Sequence, residues 1–227
     1  VFGLNLIEST PTKELFLLLG MAGVIAASTS AIYQTNAKRL FAYSSVAQIG
    51  YMVLGIGFGS VLGLTASFVH LFNHAIMKAA LFMALGAIMC RIGSNQVTDL
   101  RGLARKMPWT FAAFVIGGLS LIGVPGTAGF ISKWYLVLAA LEQQAWLVVA
   151  VILTGSLLAV AYVWKLVETM YFNPATDTNI KNVKEAPLSL LLPLWLLVIA
   201  NIYFGFDTSL TVGVAESAAN LLLGDKP

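Results

Sequence analysis

The sequence predicts an all-α, polytopic membrane protein with six transmembrane helices, one of them broken. Three observations lead there. Of 227 residues, 59% are hydrophobic and only 10% charged, with a mean hydropathy of +0.86, which leaves too little polar surface for a soluble domain. The apolar residues gather into six runs long enough to cross a hydrocarbon core as helices. The basic residues crowd into alternate breaks between those runs, the asymmetry expected of a spanning chain.

Leu15 to Gln34 is the first run, ended by the basic break TNAKR. Leu40 to about Gly59 is the second, closed by a Gly-rich turn around Ser60, and Leu64 to Cys90 is the third. The long polar connection RIGSNQVTDLRGLARKMP then ends at Pro108. Trp109 to about Leu141, Trp146 to Phe172 and Leu188 to Phe206 complete the set, with NPATDTNIKNVKEAP between the last two. We read residues 1–227 as one transmembrane domain. In the tail, residues 207–227, Leu210, Val214, Ala218 and Leu221 recur at helical spacing, and we expect it to lie along the membrane interface.

With six spans, Lys38, Arg39, Arg91, Arg101, Arg105, Lys106, Lys181 and Lys184 share one side, opposite Lys13 and Lys226. The positive-inside rule puts the first set in the cytoplasm and both termini on the outer face of the plasma membrane. The net charge of +3 is therefore a topology signal rather than a nucleic-acid footprint. Cys90 is the only cysteine, which excludes an internal disulfide and a site of several thiolates. No nucleotide loop or flavin fingerprint is present, so no cofactor is expected. The opening VFGLNLIESTPTKE has neither an initiator Met nor the pattern of a signal peptide, and we expect a fragment or a split protein.

Lysines inside spans need a reason, since one at the bilayer centre costs at least roughly 2.5 to 3.5 kcal/mol. In HLFNHAIMKAALFMALG, the residues His70, His74 and Lys78 are spaced i, i+4, i+8 and share one helix face. Lys78 lies midway through its span, with no short route to an interface. Two histidines at i, i+4 can bind a metal, but no acidic residue or cysteine lies beside them. A haem bridge would need histidines on facing helices, and the chain has no others. Imidazole exchanges protons near neutral pH, so a proton relay fits the ladder better. A packing role for either histidine alone stays open.

The fourth run, with about 33 residues, would stretch roughly 50 Å as one straight helix, against a core of roughly 30 Å. GVPGTAGFISKW supplies the break: Pro125 removes an N–H, and Gly123, Gly126 and Gly129 ease unwinding. Broken backbone at membrane depth belongs in packed protein or beside a wet cavity, where transporters place ion sites. Lys133 follows within two turns. Two helices joined by a re-entrant loop, with the lysine at a water interface, is the alternative. In NAKRLFAYSSVAQIGYM, the side chains of Ser44, Gln48 and Tyr51 share a face that can hold water or satisfy neighbouring backbone. Lys165 sits close enough to its helix end to snorkel.

The stretches KRLFAYSSVAQIGYM, HLFNHAIMKAALFMALG, DLRGLARKMP and GVPGTAGFISKW, in this order, resemble the antiporter-like proton-translocating subunits shared by respiratory complex I, Mrp-type sodium/proton antiporters and membrane-bound hydrogenases. The resemblance covers most of residues 15–172 and implies the second of two inverted five-helix repeats, followed by a closing helix, residues 188–206. It implies that Lys133 is the broken-helix residue near the proton exit and that Lys78 hands protons toward it. The path expected runs along the second and third spans through His70, His74 and Lys78 to Lys133. The first repeat is absent from the 227 residues, so the resemblance implies other membrane subunits as partners, one supplying that repeat if the chain is naturally split. Within the family, the D-type component of an Mrp sodium/proton antiporter is the expectation; a redox-driven complex I or hydrogenase component is the alternative.

Overall fold

The computed structural model describes residues 11–174 and 183–223. Lys181 and Lys226 lie outside the described residues. Five described helices are long and apolar enough to cross a membrane: Thr12–Ile32 (α1), Ala37–Gly57 (α2), Val61–Ile92 (α3), Trp146–Tyr171 (α6) and Leu188–Phe206 (α7). The fourth run is two helices of 15 residues each, Pro108–Ile122 (α4) and Ala128–Glu142 (α5). An all-α membrane bundle with one broken helix is thus the observed class. Between α3 and α4 lie two short 3-10 turns, Val97–Leu100 and Leu103–Arg105.

Local chemistry sets the helix ends. Asn36 caps α2 by accepting from the Arg39 N–H at 3.1 Å, and Ser60 caps α3 from the Gly63 N–H at 3.2 Å. Pro108 opens α4 at a position where its missing N–H is not needed. The Glu185 carboxylate covers the rest of that end, accepting from the Trp109 N–H at 2.8 Å and the Thr110 hydroxyl at 2.6 Å. At the same end of the bundle the two polar loops pair across Asn36 and Gln96, through Ala37 N–H to Asn95 O and Val97 N–H to Thr35 O, each 2.8 Å.

α3 is the hub, packing on α2, α4, α5, α7 and α8, the tail helix Ser209–Leu223. α8 buries Ala215 and Ala219. α1 and α2 approach through glycine: a Cβ on Gly20 would stand 2.9 Å from the Gly50 carbonyl, and one on Gly50 2.9 Å from the Gly20 carbonyl. Such small-residue contact lets backbones pack closely where lipid provides no hydrophobic drive.

The buried apolar side chains form two separate clusters. One holds Leu40, Phe41, Met77, Leu121 and Tyr162, the other Tyr51, Leu54, Ala66, Leu136 and Ile152. Between them, α2 carries buried Ser44 and Gln48 and α3 carries buried His70 and Asn73. A polar seam therefore crosses the bundle at mid-depth, and the intramembrane lysines border it.

Candidate functional site

The break between α4 and α5 is built by a left-handed turn. Gly123 has φ +92° and Gly126 φ +85°, conformations that glycine adopts without strain. The Gly123 N–H bonds the Ser120 carbonyl and the Val124 N–H the Leu119 carbonyl, both at 3.0 Å, which is a Schellman ending. A helix end leaves four carbonyls without helical partners, and this turn satisfies two. Lys133, reaching back from α5, takes the other two: its Nζ donates to Leu121 O at 3.0 Å and Ile122 O at 2.8 Å. A third acceptor, Ser156 Oγ of α6, lies at 3.1 Å, and the ring centre of Tyr51 at 4.9 Å. Pro125 follows where the helix has already stopped. Gly129 packs against the Ser120 carbonyl so tightly that any Cβ would overlap it, which brings its N–H to Ser120 Oγ at 3.1 Å.

Lys78 occupies a second buried seat. Its Nζ donates to Phe41 O at 3.0 Å and to Ser44 Oγ. The Phe41 ring centre lies 5.4 Å away, within cation–π range. Lys78 and Lys133 are each only 6% exposed, so neither ammonium reaches the surface of the bundle. Both are held by neutral oxygens.

Between the two seats the ladder on α3 is in place. His70 and His74 stack with ring centres 6.3 Å apart and planes 15° apart. His74 and Lys78 stand one helical turn apart on the same face of α3. His70 Nδ1 shares a hydrogen bond with Ser132 Oγ at 2.7 Å. His70, rather than Lys78, is therefore the ladder residue that meets α5, and Ser132 immediately precedes Lys133. On α2, Ser44 bonds Lys78 and its own helix, donating to Phe41 O at 3.0 Å. The Tyr51 hydroxyl reaches Ile152 O of α6 at 3.4 Å. Gln48 lies beside the buried Tyr162 hydroxyl, and its Oε1 has no protein partner among the described residues. From Ser44 to Tyr51 is about 10 Å along the helix axis, so this face spans the interval between the lysines.

Several contributors escaped the sequence reading. Ser132 and Ser156 are recognisable only once α3 and α6 are placed. Asn73 and Asn201 offered a signal, being amides inside apolar spans. Lys165 reaches the end of α1, where its Nζ donates to Ile32 O at 2.8 Å and Gln34 O at 2.9 Å.

Comparison with known proteins agrees with this architecture. Residues 2–159 match the family described as NADH:quinone oxidoreductase/Mrp antiporter, TM. The chain is 39% identical over 221 residues to NADH-quinone oxidoreductase subunit N of Desulforudis audaxviator (strain MP104C), covering 92% of this chain and 44% of that one. It is 32% identical over 196 residues to a subunit of the Na(+)/H(+) antiporter of Alkalihalophilus pseudofirmus, covering 86% and 39%. Among solved structures, the Mrp complex from Dietzia sp. DQ12-45-1b holds a chain that superposes with a TM-score of 0.87 at 25% identity, over 93% of this chain and 47% of that one. The chain thus spans less than half the length of the relatives it matches. From the helix break to the sequence match over residues 2–159, the chain belongs to the NADH:quinone oxidoreductase/Mrp antiporter transmembrane family.

Proposed function

We propose that this chain carries protons across the membrane as the second repeat of an antiporter-like subunit, by a relay between Lys78 and Lys133. The observation that carries the reading is the hydrogen bond between His70 and Ser132, which joins the ladder on α3 to the helix bearing Lys133. In this reading the order of transfer is Lys78, His74, His70, Ser132, Lys133. The Nε2 atoms of both histidines, Thr65 Oγ1 and Gln48 Oε1 lack protein partners among the described residues, giving water hydrogen-bonding positions along the seam. Lys78 lies toward the cytoplasmic loops and Lys133 toward the outer half, with both termini outside and α8 along the outer interface.

Moving one proton against 100 mV costs about 2.3 kcal/mol, so the chain works with partners that supply energy. Other membrane subunits surround it, one of them contributing the first repeat if the chain is naturally split. The family contains both kinds of driver. Exchange for sodium is the reading we prefer, as the name of the Na(+)/H(+) antiporter relative suggests. The 39% identity to a quinone oxidoreductase subunit favours a redox-driven complex as the second reading.

Everted vesicles carrying the complete complex separate these. A preset pH gradient that sodium collapses only with Lys133 intact supports antiport. Where a reductant builds a gradient that Lys133→Ala removes and sodium has no effect, the redox-driven reading holds. Transport that survives Lys133→Ala at normal protein levels defeats both.

A further inference from the structure

One residue of the break, Ala128, is gripped from two sides. Asn73 of α3 donates from Nδ2 to the Ala128 carbonyl at 2.6 Å. Asn201 of the closing helix α7 accepts the Ala128 N–H on Oδ1 at 3.3 Å. Both amides are fully buried, Asn73 at 1% exposed and Asn201 at 0%. One turn on from Asn201, Gly205 lies against the break itself, where a Cβ would come within 2.6 Å of the Gly126 carbonyl. Phe206 fills the space beside Gly126, its ring 3.4 Å from where a Cβ would stand. α7 therefore meets the break through an amide and, one turn on, through a bare backbone and a ring on adjacent residues.

The contacts with α3 form a ladder of two rungs. His70 pairs with Ser132 and, three residues on, Asn73 pairs with Ala128, four residues back. Those spacings lie on one face of each helix and fit antiparallel neighbours. Two rungs fix both the rotation of α5 and its height relative to α3. Lys133 follows Ala128 by five residues, about 7.5 Å along the axis. Where α5 begins therefore decides whether Nζ can reach Leu121 O and Ile122 O across the break.

We propose that Asn73 and Asn201 are positioning residues that lock the start of α5, so that Lys133 meets the carbonyl end of α4 and Ser132 meets His70. The closing helix, which lies beyond the family match at residues 2–159, then belongs to the translocation unit rather than serving as peripheral packing. The functional half of this inference rests on the proton-relay reading above; the geometric half does not. A buried amide suits this position, since the N–H at a helix start has no partner within its own helix and needs an acceptor from outside it.

The test uses the complete complex with Asn201→Leu, which has the same number of side-chain heavy atoms but no acceptor, and Asn201→Asp, which keeps one. Two quantities are read: amide hydrogen exchange of the segment 126–132, and proton transport in everted vesicles at matched assembly. For Asn201→Leu we expect exchange in that segment to rise about tenfold with α3 and α6 unchanged, and transport to fall at least about fivefold, effects of the size of one buried hydrogen bond. Asn201→Asp should restore both. Unchanged exchange in Asn201→Leu overturns the lock. Raised exchange with transport intact, in a complex where Lys133→Ala abolishes transport, overturns the positioning role. Uniformly raised exchange across all helices would mark Asn201 as ordinary packing and likewise overturn it. Should Lys133→Ala leave transport intact, the relay reading fails by itself, and the exchange measurement still decides the lock. Asn73→Leu provides the independent repeat from the other side of Ala128.

Discussion

Lys133 draws its ligands from the end of a helix, whereas Lys78 draws them from the side of one. The end of α4 has two carbonyls, Leu121 and Ile122, that its Schellman turn leaves over, so an ammonium there completes a hydrogen-bond account that would otherwise stay open. α2 is unbroken at Phe41, and the Phe41 carbonyl also accepts from the Ser44 and Ser45 hydroxyls, each at 3.0 Å. Lys78 thus joins an oxygen that has other partners, while Lys133 serves oxygens that have none besides it among the described residues. A broken helix is therefore a way to seat a cation at membrane depth without a carboxylate. The two seats, equally buried, should respond differently to the same substitution.

Replacing each lysine by methionine tests that most severely. Lys133→Met keeps the aliphatic bulk but strands the buried Leu121 carbonyl, at about 1–3 kcal/mol, and the part-buried Ile122 carbonyl at less. Lys78→Met leaves Phe41 O with its hydroxyl donors. The gain from removing a buried charge is common to both and cancels in the comparison. Denaturation of the detergent-solubilised complex should therefore show the larger loss for Lys133→Met; equal losses would mean the break does not depend on its lysine.

The turn that frees the carbonyls gives the next contrast. Gly123→Ala puts a side chain at φ +92°, costing about 1–2 kcal/mol, and sets its Cβ 2.9 Å from Lys133 Cδ, so the lysine stem must move. Gly86→Ala, on α3 beyond Lys78, meets nothing within 4 Å and gains about 1 kcal/mol of helix propensity. Opposite signs are expected in thermal unfolding, with transport reduced only in Gly123→Ala. A neutral Gly123→Ala would show that the left-handed turn is not what shapes the Lys133 seat.

The sequence made some of this contrast legible. Apolar run lengths placed every described span, because about 20 consecutive apolar residues admit little else in a bilayer. Gly123, Pro125 and Gly126 announced the break, since backbone chemistry is local and written in residue type. The ladder on α3 could be read because helical spacing alone lines up His70, His74 and Lys78. What could not be read was the partner of each group. Lys165 could be placed near a helix end, but its acceptors, the carbonyls of Ile32 and Gln34 at the end of α1, could not be read. Ser132 and Ser156 are common residues in membrane helices, and nothing in the sequence distinguishes one that faces an ammonium from one that bonds its own backbone. The contact of His70 with Ser132 was likewise hidden, because spacing along α3 says nothing about which rung α5 will touch.

The hydroxyls offer the finest test of the difference between the seats. Each lysine has one serine: Ser44 for Lys78 and Ser156 for Lys133. Ser156→Ala leaves Lys133 with two carbonyls that have few other uses. Ser44→Ala leaves Lys78 with Phe41 O, which it shares with Ser45. One lost hydrogen bond to a charged group is worth about 1.5–3 kcal/mol, and less where remaining acceptors can take up the donor. Initial rates of proton transport in everted vesicles should therefore fall further in Ser44→Ala than in Ser156→Ala, at equal assembly. The reverse order would mean that Ser156 is not a spare ligand at the break but a group through which Lys133 exchanges its proton, and the contrast between end and side would then lie in reactivity rather than in anchoring.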